Sequence, residues 1–187
     1  MPRTAVLLMD LQIDFLDTQR GRMPVGEEGA TRVIAAARSV LSGKALPGAV
    51  SIAAVNAFPR SQRLLNFFRR NAAVVGTSGA EIDPRIDLPA GTPIFAKAEA
   101  NAFSNPELHT FLQSRAISRL YVVGVFAEGC VRATAIGARA LGYTVVVPID
   151  AIATNAGWKL AFAKRSMQKH GVHVQSTLAE AHDENAV

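Results

Sequence analysis

Cysteine is almost absent from this chain of 187 residues, because Cys130 is the only one. A single thiol cannot form an internal disulfide, which fits the reducing conditions of the cytoplasm. Apolar runs are also short, and none approaches the roughly 20 residues that are needed to cross a bilayer. Charged and polar side chains at Asp10 and Gln12 come too early for a secretory signal. We therefore expect a cytoplasmic protein that has no membrane partner.

Basic residues are not concentrated in any one segment. The chain has 20 Lys and Arg residues against 15 Asp and Glu, a net charge of +5, but its basic residues form nothing denser than an adjacent pair such as Arg69 and Arg70. No basic run alternates with aromatic residues, so nucleic-acid binding is not expected. The positive balance instead favours an anionic small-molecule substrate. The length and the 49% hydrophobic content are typical of one globular domain over residues 1–187.

Short apolar runs alternate with helical patterns along the chain. Six runs predict strands: Thr4–Asp10, Ala49–Phe58, Thr92–Lys97, Arg119–Val125, Tyr143–Asp150 and Val172–Ser176. Five segments predict helices: Glu27–Gly43, Gln62–Arg70, Asn105–Ala116, Gly129–Leu141 and Gly157–His170. Strands that alternate with helices form a parallel sheet covered on both faces. The predicted fold class is therefore α/β, with three α-β-α layers around a six-stranded parallel sheet.

Three chemically reactive side chains fall where predicted strands end. Asp10 closes the first strand, Lys97 closes the third, and Cys130 follows the fourth. Ligands bind outside the carboxyl ends of the strands in an open parallel sheet. This trio fits nucleophilic acyl transfer, in which Asp10 takes the thiol proton, Lys97 orients Asp10 and backbone N–H groups beside Cys130 hold the oxyanion.

Each of these residues also has a purely structural interpretation. A lone cysteine is usually a small buried hydrophobic residue, Asp10 alone is equally suited to capping a loop, and Lys97 alone is typical of a solvated surface. However, the predicted place of Cys130 in the first turn of a helix favours thiolate, because unpaired N–H groups and the helix dipole point there. Taken together, the three residues favour catalysis.

Other catalytic patterns are weak in this sequence. No G-x-S-x-G elbow is present, and no GxGxxG motif follows the first strand, so no nucleotide cofactor is expected. No paired cysteines and no H-x-x-x-H spacing indicate zinc.

Five motifs, taken in order along the chain, resemble the isochorismatase-like cysteine hydrolase superfamily. They are DLQIDF at 10–15, GTSGAEIDP at 76–84, FAKAEANAF at 95–103, GVFAEGCVRATAIGARALGY at 124–143 and DAIAT at 150–154. The resemblance runs from about Thr4 to Ala179. It implies a Rossmann-like six-stranded sheet and an Asp-Lys-Cys triad, which falls on Asp10, Lys97 and Cys130.

The resemblance also implies a cis peptide between Val125 and Phe126. In the family this bond turns a backbone N–H into the oxyanion hole, which here would pair the N–H groups of Phe126 and Cys130. Nicotinamidases of the superfamily carry a metal held by an aspartate and histidines after the second strand. The segment 55–68 has no Asp, Glu or His, so no metal is expected and a nicotinamidase is disfavoured.

Further residues near these motifs are candidates for the substrate pocket: Phe15, Asn56, Phe103, Phe126, Glu128 and Trp158. For Trp158 the alternative is core packing or a subunit contact, and for Glu128 it is a solvated carboxylate at a helix start. Arg60 and Arg63 follow the second strand, and one of them is a candidate to bind a substrate carboxylate, although a surface role is favoured for both.

These observations together predict a metal-independent cysteine hydrolase that acts on a small amide, ureide or carbamoyl compound and needs no organic cofactor. Two alternatives remain. One is isochorismatase-type hydrolysis of a vinyl ether, in which the aspartate protonates the substrate and the thiol is dispensable. The other is a non-catalytic protein that keeps the fold and uses Cys130 as an oxidisable thiol. Superfamily members commonly form dimers or larger rings, so we expect a homo-oligomer, with the helix at 157–170 as its candidate interface.

Overall fold

The centre of the protein is a parallel sheet, described here in a computed structural model that covers residues 3–179. Residues 1–2 and 180–187 of the expected domain lie outside this part. Seven strands occur within it: Arg3–Met9 (β1), Val50–Asn56 (β2), Ile94–Lys97 (β3), Ile117–Val125 (β4), Thr144–Pro148 (β5), Ile152–Ala153 (β6) and His173–Gln175 (β7). Their order is β3-β2-β1-β4-β5-β7, and β6 pairs with β4.

Helices connect these strands: Ile13–Leu16 (α1), Glu27–Leu41 (α2), Arg63–Phe68 (α3), Pro106–Ser114 (α4), Arg132–Ala140 (α5) and Gly157–Lys169 (α6). The start of α4 follows from its sequence, because the Asn105 side chain accepts a hydrogen bond from the Glu107 N–H at 3.0 Å and Pro106 occupies the first helical position. Within residues 3–179, no helix is both long and apolar enough to span a membrane.

Side chains of β1 build an apolar core on each face of the sheet. Val6 and Leu8 belong to the cluster that includes residues of α2, whereas Ala5, Leu7 and Met9 belong to the cluster that includes residues of α4, α5 and α6. This division follows from the alternation of side chains along a strand. The predicted three-layer α-β-α fold is therefore confirmed.

The sheet differs from the prediction in one additional strand. Only two residues, Ile152 and Ala153, form β6, which pairs with Gly124 and Val125 beyond the point where β4 leaves β5. A run of two residues is too short to show strand periodicity, which is why the sequence predicted six strands.

The order of the strands reverses between β1 and β4, which lie next to each other. β2 and β3 follow on one side of β1, and β5 and β7 follow on the other side of β4. In such sheets ligands bind outside the carboxyl ends of the strands where this reversal occurs. Asp10 comes directly after β1 and Cys130 lies in the turn after β4, so the fold places both beside the expected binding crevice.

Gly124, near the end of β4, lies against the backbone of β1. Its φ is 130°, and a Cβ at this position would overlap the Met9 carbonyl, one residue before Asp10. We expect Gly124→Ala to lower the free energy of unfolding by about 3 kcal/mol, because a strand backbone cannot move aside without loss of ladder hydrogen bonds. Urea denaturation followed by circular dichroism measures this loss.

The matched control is Gly91→Ala. Gly91 also has a positive φ, 82°, but a Cβ there would meet nothing within 4 Å. We expect a loss of only about 1 kcal/mol from the backbone conformation. Equal losses in the two variants would contradict the steric explanation for Gly124.

Candidate active site

Asp10, Lys97 and Cys130 meet at the carboxyl edge of the sheet. Lys97 Nζ lies 3.1 Å from Asp10 Oδ2 and 3.3 Å from Cys130 Sγ. Asp10 and Lys97 are only 1% and 4% exposed, whereas Cys130 is partly exposed. The structure therefore brings together the carboxylate, the ammonium group and the thiol that the sequence placed at three separate strand ends.

Asn56 at the end of β2 completes this polar cluster. Its Oδ1 accepts a hydrogen bond from Lys97 Nζ at 2.6 Å, and its Nδ2 donates to Cys130 Sγ at 3.8 Å. Asn56 occupies this position because β2 lies between β1 and β3, and its Cα is paired in register with that of Lys97. The predicted pocket residue Asn56 thus also holds the lysine, a contact that the sequence did not reveal.

Gln12 fixes the backbone of Asn56 from behind. Its Nε2 donates to the carbonyls of Asn56 and Ala80 at 2.8 and 2.7 Å, and its Oε1 accepts from the Asn56 N–H at 2.9 Å. The Gln12 side chain is fully buried, so these bonds replace water completely. In the sequence, Gln12 was noted only as an early polar residue and as part of the DLQIDF motif, so the clamp that its hydrogen bonds form on Asn56 was not predicted.

The chain after β4 turns sharply before α5. The peptide between Val125 and Phe126 is cis, at the position that the resemblance implied. A π-helical turn then spans Ala127–Val131, and Gly129 within it has non-helical backbone angles. Gly129 is the one residue of this turn with non-helical angles, so Cys130 comes directly after the kink, at the start of the helical run that continues into α5 at Arg132.

Burial controls the protonation of the thiol. It raises the pKa of Cys130 to about 12, and the negative charge of Asp10 acts in the same direction, against the charge of Lys97. Burial also raises the pKa of Asp10, although the charge of Lys97 and hydrogen bonds oppose the rise. Both effects oppose the expectation that this junction favours thiolate, and they favour a neutral thiol beside the Lys97–Asp10 ion pair.

Cys130 opens into a cavity of about 320 Å³. Phe15 and Phe126 form one apolar wall, with ring centroids 5.6 Å apart in an edge-to-face arrangement. The polar lining consists of Asn56, Arg69, Glu128, Asn155 and Lys159. The volume is at the lower end of the range for ligand pockets, so the cavity fits a small substrate.

Two predicted pocket aromatics lie outside this cavity. Phe103 packs in the apolar layer, because the short 3-10 turn Ala102–Ser104 directs it onto Tyr143, with ring centroids 5.9 Å apart. Trp158, at the start of α6, is 73% exposed. The assignment of both residues to the pocket was therefore wrong, and a subunit contact through Trp158 stays a prediction.

Arg60 and Arg63 also lie away from the thiol. Both line a separate cleft with Arg22 and Arg70, and the Arg60 guanidinium donates to the carbonyls of Val75 and Gly76. Neither lines the cavity beside Cys130, so neither is placed to bind a substrate carboxylate there.

Sequence reasoning missed several residues of the cavity lining: Met23, Phe58, Arg69, Ala98, Ala100, Gly129, Asn155 and Lys159. Of these, Lys159 is neutralised, since its Nζ lies 3.1 Å from Glu128 Oε1 and 2.8 Å from Asn155 Oδ1. The only signal for Lys159 and Asn155 was their proximity to the DAIAT motif, and Arg69 appeared merely as one of a basic pair.

The residues after β2 do not fit a metal ion. From 57 to 77 the chain has no Asp, Glu, His or Cys, and nowhere in the described range 3–179 do three such side chains form a group able to hold one. Arginines occupy this region instead, and their positive charges oppose cation binding.

We expect Asp10→Asn to increase the rate at which iodoacetamide alkylates Cys130, by about tenfold at about pH 8. The carboxylate raises the pKa of the thiol by its charge and by a hydrogen bond, so its removal favours thiolate. Mass spectrometry reads the reaction directly, because every adduct must lie on the single cysteine. The exposed carboxylate variant Glu99→Gln is the control. Slower alkylation of Asp10→Asn would instead mean that Asp10 activates the resting thiol.

A second prediction concerns Gln12→Ala, which removes three hydrogen bonds, two of them buried. We expect the free energy of unfolding to fall by about 3 kcal/mol, because the N–H and carbonyl of Asn56 are left buried without partners. Thermal and urea denaturation measure the loss, and the exposed Gln19→Ala is the control. A loss below about 1 kcal/mol would show that water or a shifted side chain replaces the clamp.

Known proteins are similar to this chain in sequence and in fold. The family model of the isochorismatase domain matches residues 4–179. A probable inactive nicotinamidase of Arabidopsis thaliana is 29% identical over 170 residues, which is 81% of this chain and 82% of that protein. The N-carbamoylsarcosine amidase of an Arthrobacter species is 40% identical over 73 residues, which is 39% of this chain and 28% of that protein. The crystal structure of an isochorismatase family protein from Desulfovibrio vulgaris is 25% identical, with a TM-score of 0.86 over 100% of both chains. This chain therefore belongs to the isochorismatase family of hydrolases, as its motifs indicated.

Proposed function

We propose that this protein is a metal-independent cysteine hydrolase that cleaves a C–N bond of a small amide, ureide or carbamoyl compound. Cys130 contacts Lys97, Lys97 forms an ion pair with the buried Asp10, and Cys130 lines a small cavity. This arrangement is the observation that carries the proposal. The N-carbamoylsarcosine amidase supports the reaction class, since its name describes hydrolysis of a carbamoyl compound.

Acylation begins with proton transfer, because the thiol is neutral at rest. Asp10 accepts the proton from Cys130, and its raised pKa makes it a stronger base than an exposed aspartate. Lys97 donates to one carboxylate oxygen, Oδ2, at 3.1 Å, which leaves Oδ1 available for that proton. Sγ then attacks the carbonyl carbon, and Lys97 balances the negative charge that moves between the two residues.

The tetrahedral intermediate collapses by loss of its nitrogen. The C–S bond is kept, the C–N bond breaks, and Asp10 returns its proton to the leaving amine or ammonia. We assign the oxyanion to the backbone N–H groups of Phe126 and Cys130, which would stabilise the charge as it develops. The product of this half-reaction is a thioester or thiocarbamate on Cys130.

Deacylation uses the same carboxylate. Asp10 accepts a proton from water as the water oxygen attacks the acyl carbon, and the C–S bond then breaks. The proton returns to sulfur, which restores the neutral thiol beside the ion pair. The released product is a carboxylic or carbamic acid.

The decisive experiment is intact-mass measurement after acid quench, on protein incubated with small amides, ureides and carbamoyl acids. We expect a mass gain equal to the acyl group in the wild type and none in Cys130→Ala. Asp10→Asn should lose about 10²- to 10⁴-fold in kcat, because it removes the general base, whereas the surface control Glu99→Gln should retain activity. Turnover by Cys130→Ala would reject the thioester and favour chemistry by the aspartate alone.

A further inference from the structure

Arg69 presents a fixed cation to the cavity that holds Cys130. It follows α3 directly, and its guanidinium carbon lies 3.9 Å from the centroid of the Phe58 ring. Nη1 also donates to Gln62 Oε1 at 3.2 Å. A ring below and an amide at one edge hold the plane of the guanidinium, so little freedom is lost when a ligand binds.

Phe58 connects this cation to the reactive cluster. It is buried, and its backbone is tied on both sides, since its N–H donates to the Ala73 carbonyl at 2.9 Å and its carbonyl accepts from the Val75 N–H at 3.0 Å. It also follows Asn56, the residue that contacts Lys97 and Cys130, by only two positions. The ring that packs against the Arg69 guanidinium therefore belongs to the same short segment as Asn56, which contacts the thiol.

Among the cations at the cavity, Arg69 is the one without an acidic partner within residues 3–179. Lys159 pairs with Glu128 at 3.1 Å, and Lys97 pairs with Asp10 at 3.1 Å. No ion pair to Arg69 is found anywhere in the part of the chain that the structure describes. The lining thus keeps one net positive charge, with most of the guanidinium donors free of protein partners.

We propose that Arg69 binds a carboxylate of the substrate, so that the substrate is a small monoanionic acid with the scissile amide, ureide or carbamoyl group at its other end. The identity of the reacting group depends on the proposed function, whereas the presence of a carboxylate is inferred from the contacts of Arg69 alone. A guanidinium pairs with a carboxylate through two parallel N–H···O bonds. One unbalanced cation matches a single negative charge, and a phosphate, with about −1.5 to −2 at neutral pH, would require further donors.

Binding tests the carboxylate independently of catalysis. In a Cys130→Ala background, isothermal titration calorimetry would compare N-carbamoylglycine with isobutylurea, a neutral molecule of the same shape. We expect the acid to bind at least about tenfold more tightly, as charged hydrogen bonds imply. Adding Arg69→Met should weaken the acid by about 10- to 100-fold and leave isobutylurea within about twofold.

Two further variants sharpen the comparison. Arg69→Lys keeps the charge without the planar fork, so it should recover only part of the affinity for the acid. Arg63→Met removes the same charge from α3, but at a side chain that lines the separate cleft, and it should leave both ligands unchanged. Thermal unfolding of each variant shows whether the fold is intact.

The outcomes separate this inference from the proposed function. Preferential binding of the acid that disappears in Arg69→Met supports the carboxylate site even if the wild type forms no covalent adduct. Equal affinity for the two ligands, no binding of either, or equal loss of both in Arg69→Met overturns it. Adduct formation by neutral amides with no effect of Arg69→Met would leave the hydrolase standing and reject the carboxylate.

Discussion

The buried ion pair between Lys97 and Asp10 constrains everything around the reactive thiol. Each side chain has lost almost all contact with water, and the transfer of an isolated charge to such a place costs several kcal/mol. The attraction across 3.1 Å offsets part of this cost, and Asn56 supplies a further hydrogen bond to the lysine. Removing either charge would leave the other without compensation. Strands β1, β2 and β3 must therefore stay in register for the pair to survive.

Features that depend on neighbouring residues along the chain could be predicted from the sequence, whereas features that depend on contacts between distant segments could not. Asp10, Lys97 and Cys130 were found because each follows an apolar run and because parallel strands end at one edge. The clamp by Gln12 was not found, since it depends on the register of β2 and on a loop that returns near Ala80. Arg69 was missed for a related reason, because its direction depends on how α3 folds over Phe58. Trp158 was misplaced because its proximity along the chain to a motif does not fix the direction of its side chain.

Two opposing effects act on the pKa of Cys130: the helix start lowers it, whereas burial and the charge of Asp10 raise it. A helix start stabilises an anion by only about 0.3–1 kcal/mol, and Cys130 lies at the start of the helical run that continues into α5. Burial and the negative charge of Asp10 raise the pKa of Cys130 to about 12, against the charge of Lys97. Desolvation and the nearby carboxylate therefore outweigh any dipole. A redox-responsive thiol requires the opposite, an accessible group of low pKa, which disfavours that alternative.

A neutral nucleophile has a further consequence for the lifetime of the enzyme. Peroxide and electrophilic metabolites attack thiolates far faster than thiols, and this chain has no second cysteine to reverse oxidation by disulfide exchange. A resting state in which sulfur keeps its proton therefore reacts slowly with peroxide and with electrophiles. In the proposed reaction, sulfur becomes reactive only when its proton moves to Asp10. The burial that makes the thiol harder to ionise thus also protects the single thiol of the chain from oxidation.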